Sequence, residues 1–478
     1  MEIIDRHKTE HRTQVRTVKL IYLICMTAIF AAGWKLYYLP HFWSPFYNMN
    51  AASIAVIFVY LVMHYEISHL YGCYRIQLSR ISELIYSQIL SALITNFFMF
   101  LIILLMIRHM MNVGPMFLVL AGQVLGSVIW SYAAHRWYFG KFPPVDTVII
   151  WEERPNLDKL VAQYGMEKHF HIIGTYRVEE VMDRLPEVLK DAKCVFLCDI
   201  HSHARNQILK FCIKWGINAY VLPRLGDMIM GGAENLHLFH LTTLLVSRYS
   251  PTPEYLFLKR LFDIVLSAIA VILLSPVMAV LAIIIKATDG GSVLYKQTRL
   301  TKDGKEFQVL KFRSMRMDAE KDGVARLSTG ENDPRITPVG RFMRKIRFDE
   351  LPQLFNILKG DMSIVGPRPE RPEIAKQYEE ELPEWPLRLQ CKCGLTGYAQ
   401  VYGQYNTSPY DKLMMDLAYI AHPSLGQDFQ ICLATVKILF LKDSTDGIKE
   451  GRTTASGTIP DLYEDGKQTL EKSDRCRS

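Results

Sequence analysis

Long apolar runs constrain this chain before any motif does. Val18–Leu39, Ala51–Ile67, Gln88–Ile107 and Pro115–Ala134 each have the length and polarity of a bilayer-spanning helix, the second being the shortest and carrying His64. Half of the residues are hydrophobic and the net charge is +7, a balance that suits a membrane protein better than a soluble one. Arg6, Lys8, Arg12, Arg16 and Lys19 precede the first run, Arg75 and Arg80 lie between the second and third, and Arg136 and Lys141 follow the fourth. The opposite loops are poorer in cations, Lys35 and Arg108 excepted, so the positive-inside rule puts both ends of a four-helix transmembrane domain, 1–140, on the cytoplasmic side. The basic start continues into a long apolar segment without a small-residue cleavage site, which argues against a cleaved signal. Thr95, Asn96 and Gln123 inside these runs read as helix–helix hydrogen bonding rather than a transport pathway.

From Val145 the periodicity shortens. Thr147–Trp151, His171–Gly174, Cys194–Cys198 and Ala219–Pro223 are β-branched or apolar runs separated by polar helical stretches, the pattern of a parallel, Rossmann-like sheet over 141–250. Where a dinucleotide fold carries GxGxxG, this chain has Trp151-Glu-Glu-Arg-Pro-Asn156, whose bulk and negative charge oppose a pyrophosphate. Cys198-Asp-Ile-His-Ser-His203 holds metal-capable groups without a second cluster at zinc-like spacing, and reads as a strand-to-helix loop. Nine scattered cysteines without a CxxC pair point to reduced thiols.

Pro251-Thr-Pro253 reads as a linker into a third domain, 251–448. Glu254–Asp263 begins amphipathically, and an almost unbroken apolar run follows to Ile285. A span there would export the basic segment beyond Lys286, whose composition suits cytoplasmic phosphates. Ser275-Pro276 offers another solution. Proline removes one helical hydrogen bond, so the run 261–287 can bend as a re-entrant helix, with Ser267 or Ser275 satisfying freed carbonyls; a kinked fifth span is the alternative.

Beyond the run, Tyr295–Arg299, Lys311–Arg316 and Arg341–Arg347 concentrate positive charge, which attracts anionic headgroups and phosphorylated substrates. Without an aromatic stacking platform, the basic surface does not indicate nucleic acid. Within this setting stand Asp349-Glu350, adjacent carboxylates that stay ionised near cations, can hold Mg²⁺, and can supply a nucleophile toward phosphorus. Adjacent acids before Leu351-Pro352 also suit a plain helix start. Their company favours chemistry: Arg344, Lys345 and Arg347 precede them and Pro367-Arg-Pro369 follows.

These motifs resemble the bacterial sugar transferases that initiate glycan assembly, the polyprenyl-phosphate hexose-1-phosphate transferases. The resemblance covers Phe257 to Ile448 through Lys259-Arg-Leu-Phe-Asp263, the Ser-Pro break, Lys311-Phe-Arg-Ser-Met315, Asp333-Pro-Arg-Ile-Thr-Pro-Val-Gly-Arg341, Asp349-Glu-Leu-Pro-Gln-Leu-Phe-Asn356 and Gly394-Leu-Thr-Gly397. The preceding spans and Rossmann-like domain are similar to the long, polytopic branch, which includes galactose- and glucose-phosphate transferases. The resemblance implies an α-rich α/β catalytic domain that moves a sugar-1-phosphate from a UDP-sugar to undecaprenyl phosphate and releases UMP, the first membrane step of an exopolysaccharide, capsule or O-antigen. It implies Asp349 as nucleophile and Glu350 as its partner in Mg²⁺ or proton handling, with Lys311, Arg344 and Arg368 on phosphate and Arg313 and Arg347 behind them. It further implies a homodimer in the bacterial inner membrane with the catalytic domain cytoplasmic. Cys391-Lys-Cys393 departs from the pattern and leaves that loop's conformation open. The polar tail, 449–478, reads as lacking a packed core. An inactive scaffold for later glycan enzymes, and a glycosyltransferase that would release UDP, are the competing readings. Neither the sugar nor the role of the central domain is legible.

Overall fold

The computed structural model describes residues 2–41, 49–77, 79–108, 110–153, 157–163, 165–249, 251–316, 335–403 and 407–439. The tail 449–478, Asp333-Pro334 and Arg154-Pro-Asn156 lie outside them. The chain divides into two compact units between Leu222 and Pro223.

The first unit opens with four long helices, α1 (Glu2–Gly33), α2 (Met49–Leu70), α3 (Ile81–Ile107) and α4 (Gly114–Lys141). Each contains a stretch long and apolar enough to cross a membrane. α1 packs on α2 and α4, and α3 on the same two. Leu105, Phe117 and Leu118 point outward and are exposed, the surface a lipid-facing helix presents. Inside, Phe30 stacks on Tyr60 with ring centroids 4.1 Å apart. Polar side chains cross-link the helices: Asn96 Nδ2 donates to Gln123 Oε1 at 2.6 Å, and Gln123 Nε2 donates to Tyr60 Oη at 2.8 Å. His64 is fully buried beside Thr95 and Ser68, so its polarity belongs to the helix contacts.

A four-stranded parallel sheet follows, β1 (Val145–Trp151), β2 (Phe170–Arg177), β3 (Cys194–Cys198) and β4 (Asn218–Leu222), in the order β2-β1-β3-β4. Val148, Ile150, Val195 and Leu197 pack with Ile208 and Cys212 of the helix Ser202–Trp215. Residues buried on both faces explain why β1 and β3 read as continuous apolar runs. At the end of β1, Glu152 accepts from His201 N at 2.7 Å and pairs with His201 Nδ1 at 2.6 Å, while His203 Nε2 meets Gln207 Nε2 at 3.0 Å.

The second unit starts with the segment 223–249, assigned above to the central domain; its Leu225, Met228 and Tyr249 join the second unit's core, because that is where their apolar surfaces find partners. The segment includes an antiparallel hairpin, β5 (Glu234–Leu238) and β6 (Leu241–Leu245). A helix then runs without interruption from Pro253 to Asp289 through Pro276. Proline leaves the carbonyl four residues earlier without its usual N–H. Ser275 Oγ donates to that oxygen, Ile272 O, at 2.9 Å.

Around this helix lie the antiparallel pair β7 (Leu294–Leu300) and β8 (Glu306–Phe312), the short parallel pair β9 (Ser363–Val365) and β10 (Gly394–Thr396), and several helices. Lys259, Arg260 and Asp263 bolt the helix to this domain. Lys259 Nζ reaches Asp428 Oδ2 at 2.9 Å and Val365 O at 3.1 Å; Asp263 Oδ1 accepts from Ile364 N at 2.9 Å and Ser363 Oγ at 3.1 Å. Arg260 caps the carbonyls of Ile357 and Leu358 at 2.6 and 2.8 Å. Farther along, Leu281 and Ile285 pack with Phe312 and Met343.

Candidate active site

Asp349 and Glu350 occupy a 3-10 turn, Phe348–Glu350, between the helices Pro338–Lys345 and Gln353–Lys359. Arg347 enters that turn at φ 56°, a left-handed conformation that costs a residue with a Cβ roughly 1–2 kcal/mol. Such strain is held where surrounding contacts over-determine the backbone, and it redirects the chain immediately before the two acids.

The strand period of two explains how Lys311 reaches them. Phe307 and Val309 face the core from β8, and Lys311 continues the same row at the strand's end. Asn356 fixes the strand against the following helix: Oδ1 accepts from Leu310 N at 2.9 Å and Nδ2 donates to Gln308 O at 2.8 Å. Lys311 Nζ then lies 2.9 Å from Glu350 Oε1, and Arg368 Nη2 lies 3.6 Å from the same oxygen.

Arg368 is carried by a crossing that only glycine permits. A Cβ on Gly366 would come within 2.3 Å of Lys392 O, and one on Gly397 within 2.1 Å of Gly366 O. Gly366 N donates to Thr396 O, and Gly394 N to Pro367 O, each at 2.9 Å. Beneath the loop, Arg388 donates to Arg368 O at 3.0 Å and to Asp416 Oδ2 at 2.7 Å, with its guanidinium 4.4 Å from the Trp385 ring centre. Cys391 and Cys393 enter two different core clusters on the way to β10, and burial pushes both thiols up to about 12.

The two carboxylates differ electrostatically. Burial and then the charge of Glu350 push the Asp349 carboxyl up, with Lys311 and Arg344 opposing. Burial acts the same way on Glu350, but Lys311, Arg368 and Arg347 together hold it well below the usual carboxylate range. Glu350 is therefore the counter-ion of the cationic group, and Asp349 is the more basic carboxylate.

Glu350, Lys311 and Arg368 line one cleft with Arg299, Gln353 and Gln400. Asp349 is buried one residue from that wall. Arg344 donates from Nε to Ser314 Oγ at 2.9 Å, and Arg347 sits at the left-handed entry. Arg313 is buried and does not line the cleft; Ser275 and Pro276 belong to the long helix. Arg299 was legible only as one charge in a run. It bonds to Pro369 O at 3.0 Å, lies 3.6 Å from Glu370, and is drawn down to about 10 by burial. Gln400 Nε2 is buried without a hydrogen-bond partner among the described residues. No sequence signal distinguished these residues from ordinary polar positions.

A sequence profile described as "Bacterial sugar transferase" matches residues 254–442, which contain the whole cleft. A relative from Caulobacter vibrioides, a UDP-glucose:undecaprenyl-phosphate glucose-1-phosphate transferase, is 40% identical over 191 residues, or 39% of this chain and 71% of the relative. The chain belongs to the bacterial sugar transferase family. Another family member, the UDP-N-acetylgalactosamine-undecaprenyl-phosphate N-acetylgalactosaminephosphotransferase of Aeromonas hydrophila, is 37% identical over 238 residues, 49% of this chain and 55% of the relative. The UDP-glucose:undecaprenyl-phosphate glucose-1-phosphate transferase of Escherichia coli is 42% identical over 184 residues, 37% and 39% of the two lengths. The match thus spans about half, or less, of these last two family members.

Among the described residues, no three His, Cys, Asp or Glu side chains cluster as a metal site. The adjacent carboxylates of Asp349 and Glu350 could offer Mg²⁺ one or two hard oxygen ligands, the number a site needs where phosphates and water would complete the shell.

Proposed function

We propose that this chain transfers a hexose-1-phosphate from a UDP-sugar to undecaprenyl phosphate and releases UMP. The carrying observation is the contrast inside the dyad, with Glu350 neutralised by Lys311 and Arg368 while Asp349 is pushed toward greater basicity. In the first step an Asp349 carboxylate oxygen bonds to the sugar-bearing phosphorus as its bond to the bridging oxygen breaks; UMP leaves with that oxygen. A phosphate oxygen of the lipid then bonds to the same phosphorus and displaces Asp349, leaving a diphosphate-linked sugar. Both steps exchange one anionic nucleophile for another, so one cation-lined cleft serves both. Lys311 and Arg368 neutralise phosphate oxygens, and Glu350 fixes these two cations in place. Mg²⁺, held by Asp349 and Glu350, would supply further neutralisation when bound.

The long helix is re-entrant in this reading. Lys259 and Asp263 near its start, and Leu281 and Ile285 near its end, contact the same domain. A bilayer core about 30 Å thick between those points would separate contacts that this domain makes together. The reading places the domain on the cytoplasmic face of a bacterial inner membrane, where UDP-sugars are found, in a homodimer that begins an exopolysaccharide, capsule or O-antigen.

The test uses the full chain in nanodiscs with Mg²⁺, undecaprenyl phosphate and UDP-glucose, UDP-galactose and their N-acetylated counterparts. UMP formed with at least one donor supports the proposal and identifies the sugar. UDP as the released nucleotide overturns it in favour of a glycosyltransferase; no nucleotide from any donor, with folded protein, favours a scaffold.

A further inference from the structure

A second cavity, of about 720 Å³, lies within the first unit, where the start of α3 and the end of α4 meet the loop before β2. Arg80, His135, Lys168 and His169, from three separate stretches of chain, line it together with the hydroxyl-bearing Ser82 and Tyr132. Glu83 and Glu167, the acids next to these residues in sequence, do not line it. Two cations, Arg80 and Lys168, with two imidazoles beside them give this wall a positive potential that attracts an anion.

His169 supplies an independent observation. Its ring meets Phe139 edge-on, with centroids 4.8 Å apart, and both ring nitrogens are buried without a hydrogen-bond partner among the described residues. A rotation of the ring that brings an N–H to an acceptor oxygen bound in the cavity would recover the roughly 1–3 kcal/mol that an unsatisfied buried donor costs. Burial, then the neighbouring His135 and Lys168, push the His169 imidazole below its ordinary pKa, as an electropositive setting requires.

The cavity also has an apolar side. Ile85, Tyr86 and Tyr132 line it, and Tyr132 follows exposed Leu125 and Ile129 along α4. An anionic group at the basic end could therefore carry an apolar tail along the helix.

We propose that this cavity binds a phosphate group carrying net negative charge. Its two sources are the headgroup of an anionic membrane lipid, which the apolar side favours, and a soluble phosphate. The site shares no residue with the Asp349 cleft and does not depend on the transferase reading.

The test is native mass spectrometry of the full chain in dodecyl maltoside, titrated with phosphatidylglycerol, phosphatidylcholine or inorganic phosphate. Thermal unfolding controls for folding. Lys168→Gln changes an exposed side chain and tests charge without disturbing a core; His169→Phe tests the ring nitrogens. The parent should bind phosphatidylglycerol in preference to phosphatidylcholine, and Lys168→Gln should weaken binding about fivefold, as expected for one surface cation near an anionic lipid. Phosphatidylglycerol binding that resists inorganic phosphate identifies the lipid source; inorganic phosphate binding with the same Lys168 dependence identifies the soluble source. Equal phosphatidylglycerol and inorganic phosphate binding by parent and both variants, or equal binding of the two lipids without Lys168-dependent binding of inorganic phosphate, would overturn the proposal.

Discussion

At the residue scale the dyad is asymmetric, and the asymmetry makes opposite predictions for its two members. The folded-state pKa of Asp349 is raised, so its contribution to stability is present below the unfolded pKa and is lost as pH rises through the folded one. Asp349→Asn should therefore raise the melting temperature at neutral pH while abolishing UMP formation; a melting temperature lowered at neutral pH would refute this account of the site's strain. Glu350 is depressed, so its contribution is present above the unfolded carboxylate pKa and is lost as pH falls through the folded one. Glu350→Gln should flatten the acid limb of stability, measured as melting temperature against pH. Arg388→Met should destabilise by about 3–5 kcal/mol in denaturant titration, since it leaves Asp416 buried and unpaired. The sequence motifs pointed to Asp349, Glu350, Lys311 and Arg368 as neighbours of phosphate, and the fold brings them together. They did not reveal Arg299, Gln353, Gln400 or Arg388, because a charge or amide in a run carries no mark of which way a strand or loop will turn it.

At the element scale, length and polarity were enough to locate the first four long helices, whose backbone must satisfy itself wherever lipid surrounds it. Ends were less legible. α4 continues to Lys141, seven residues past the apolar run that ended at Ala134, because polar residues extend a helix once it leaves the apolar layer. The β5–β6 hairpin gave no turn signal, for Phe239 and His240 occupy the two positive-φ positions that Asn-Gly ordinarily fills. The break expected at Ser275-Pro276 is absent, since the helix runs through Pro276; of the two serines considered there, Ser275 reaches the freed carbonyl, whereas the buried Ser267 hydroxyl has no partner among the described residues. Lys259→Met removes the cation from beside Asp428 and breaks the tie to Val365 O. It should cost about 3–5 kcal/mol by leaving a buried carboxylate uncompensated, read as a lower denaturant midpoint; unchanged stability would show that the long helix is held by apolar packing alone.

At the scale of the whole molecule, the sequence announced membrane helices, a parallel sheet and a phosphate-handling domain. Where the chain divides was hidden, since the packing of Leu225, Met228 and Tyr249 is a property of the folded core and not of local composition. The central claim is that Asp349 carries the phosphosugar between donor and acceptor. The most direct measurement is intact-protein and peptide mass spectrometry of the full chain after incubation with its UDP-sugar and Mg²⁺ and no lipid acceptor. A hexose-phosphate increment on the peptide containing Asp349, accompanied by UMP and absent from Asp349→Asn, is the predicted result. The same increment in Asp349→Asn, or UMP formed only once undecaprenyl phosphate is added and with no covalent species, would contradict it.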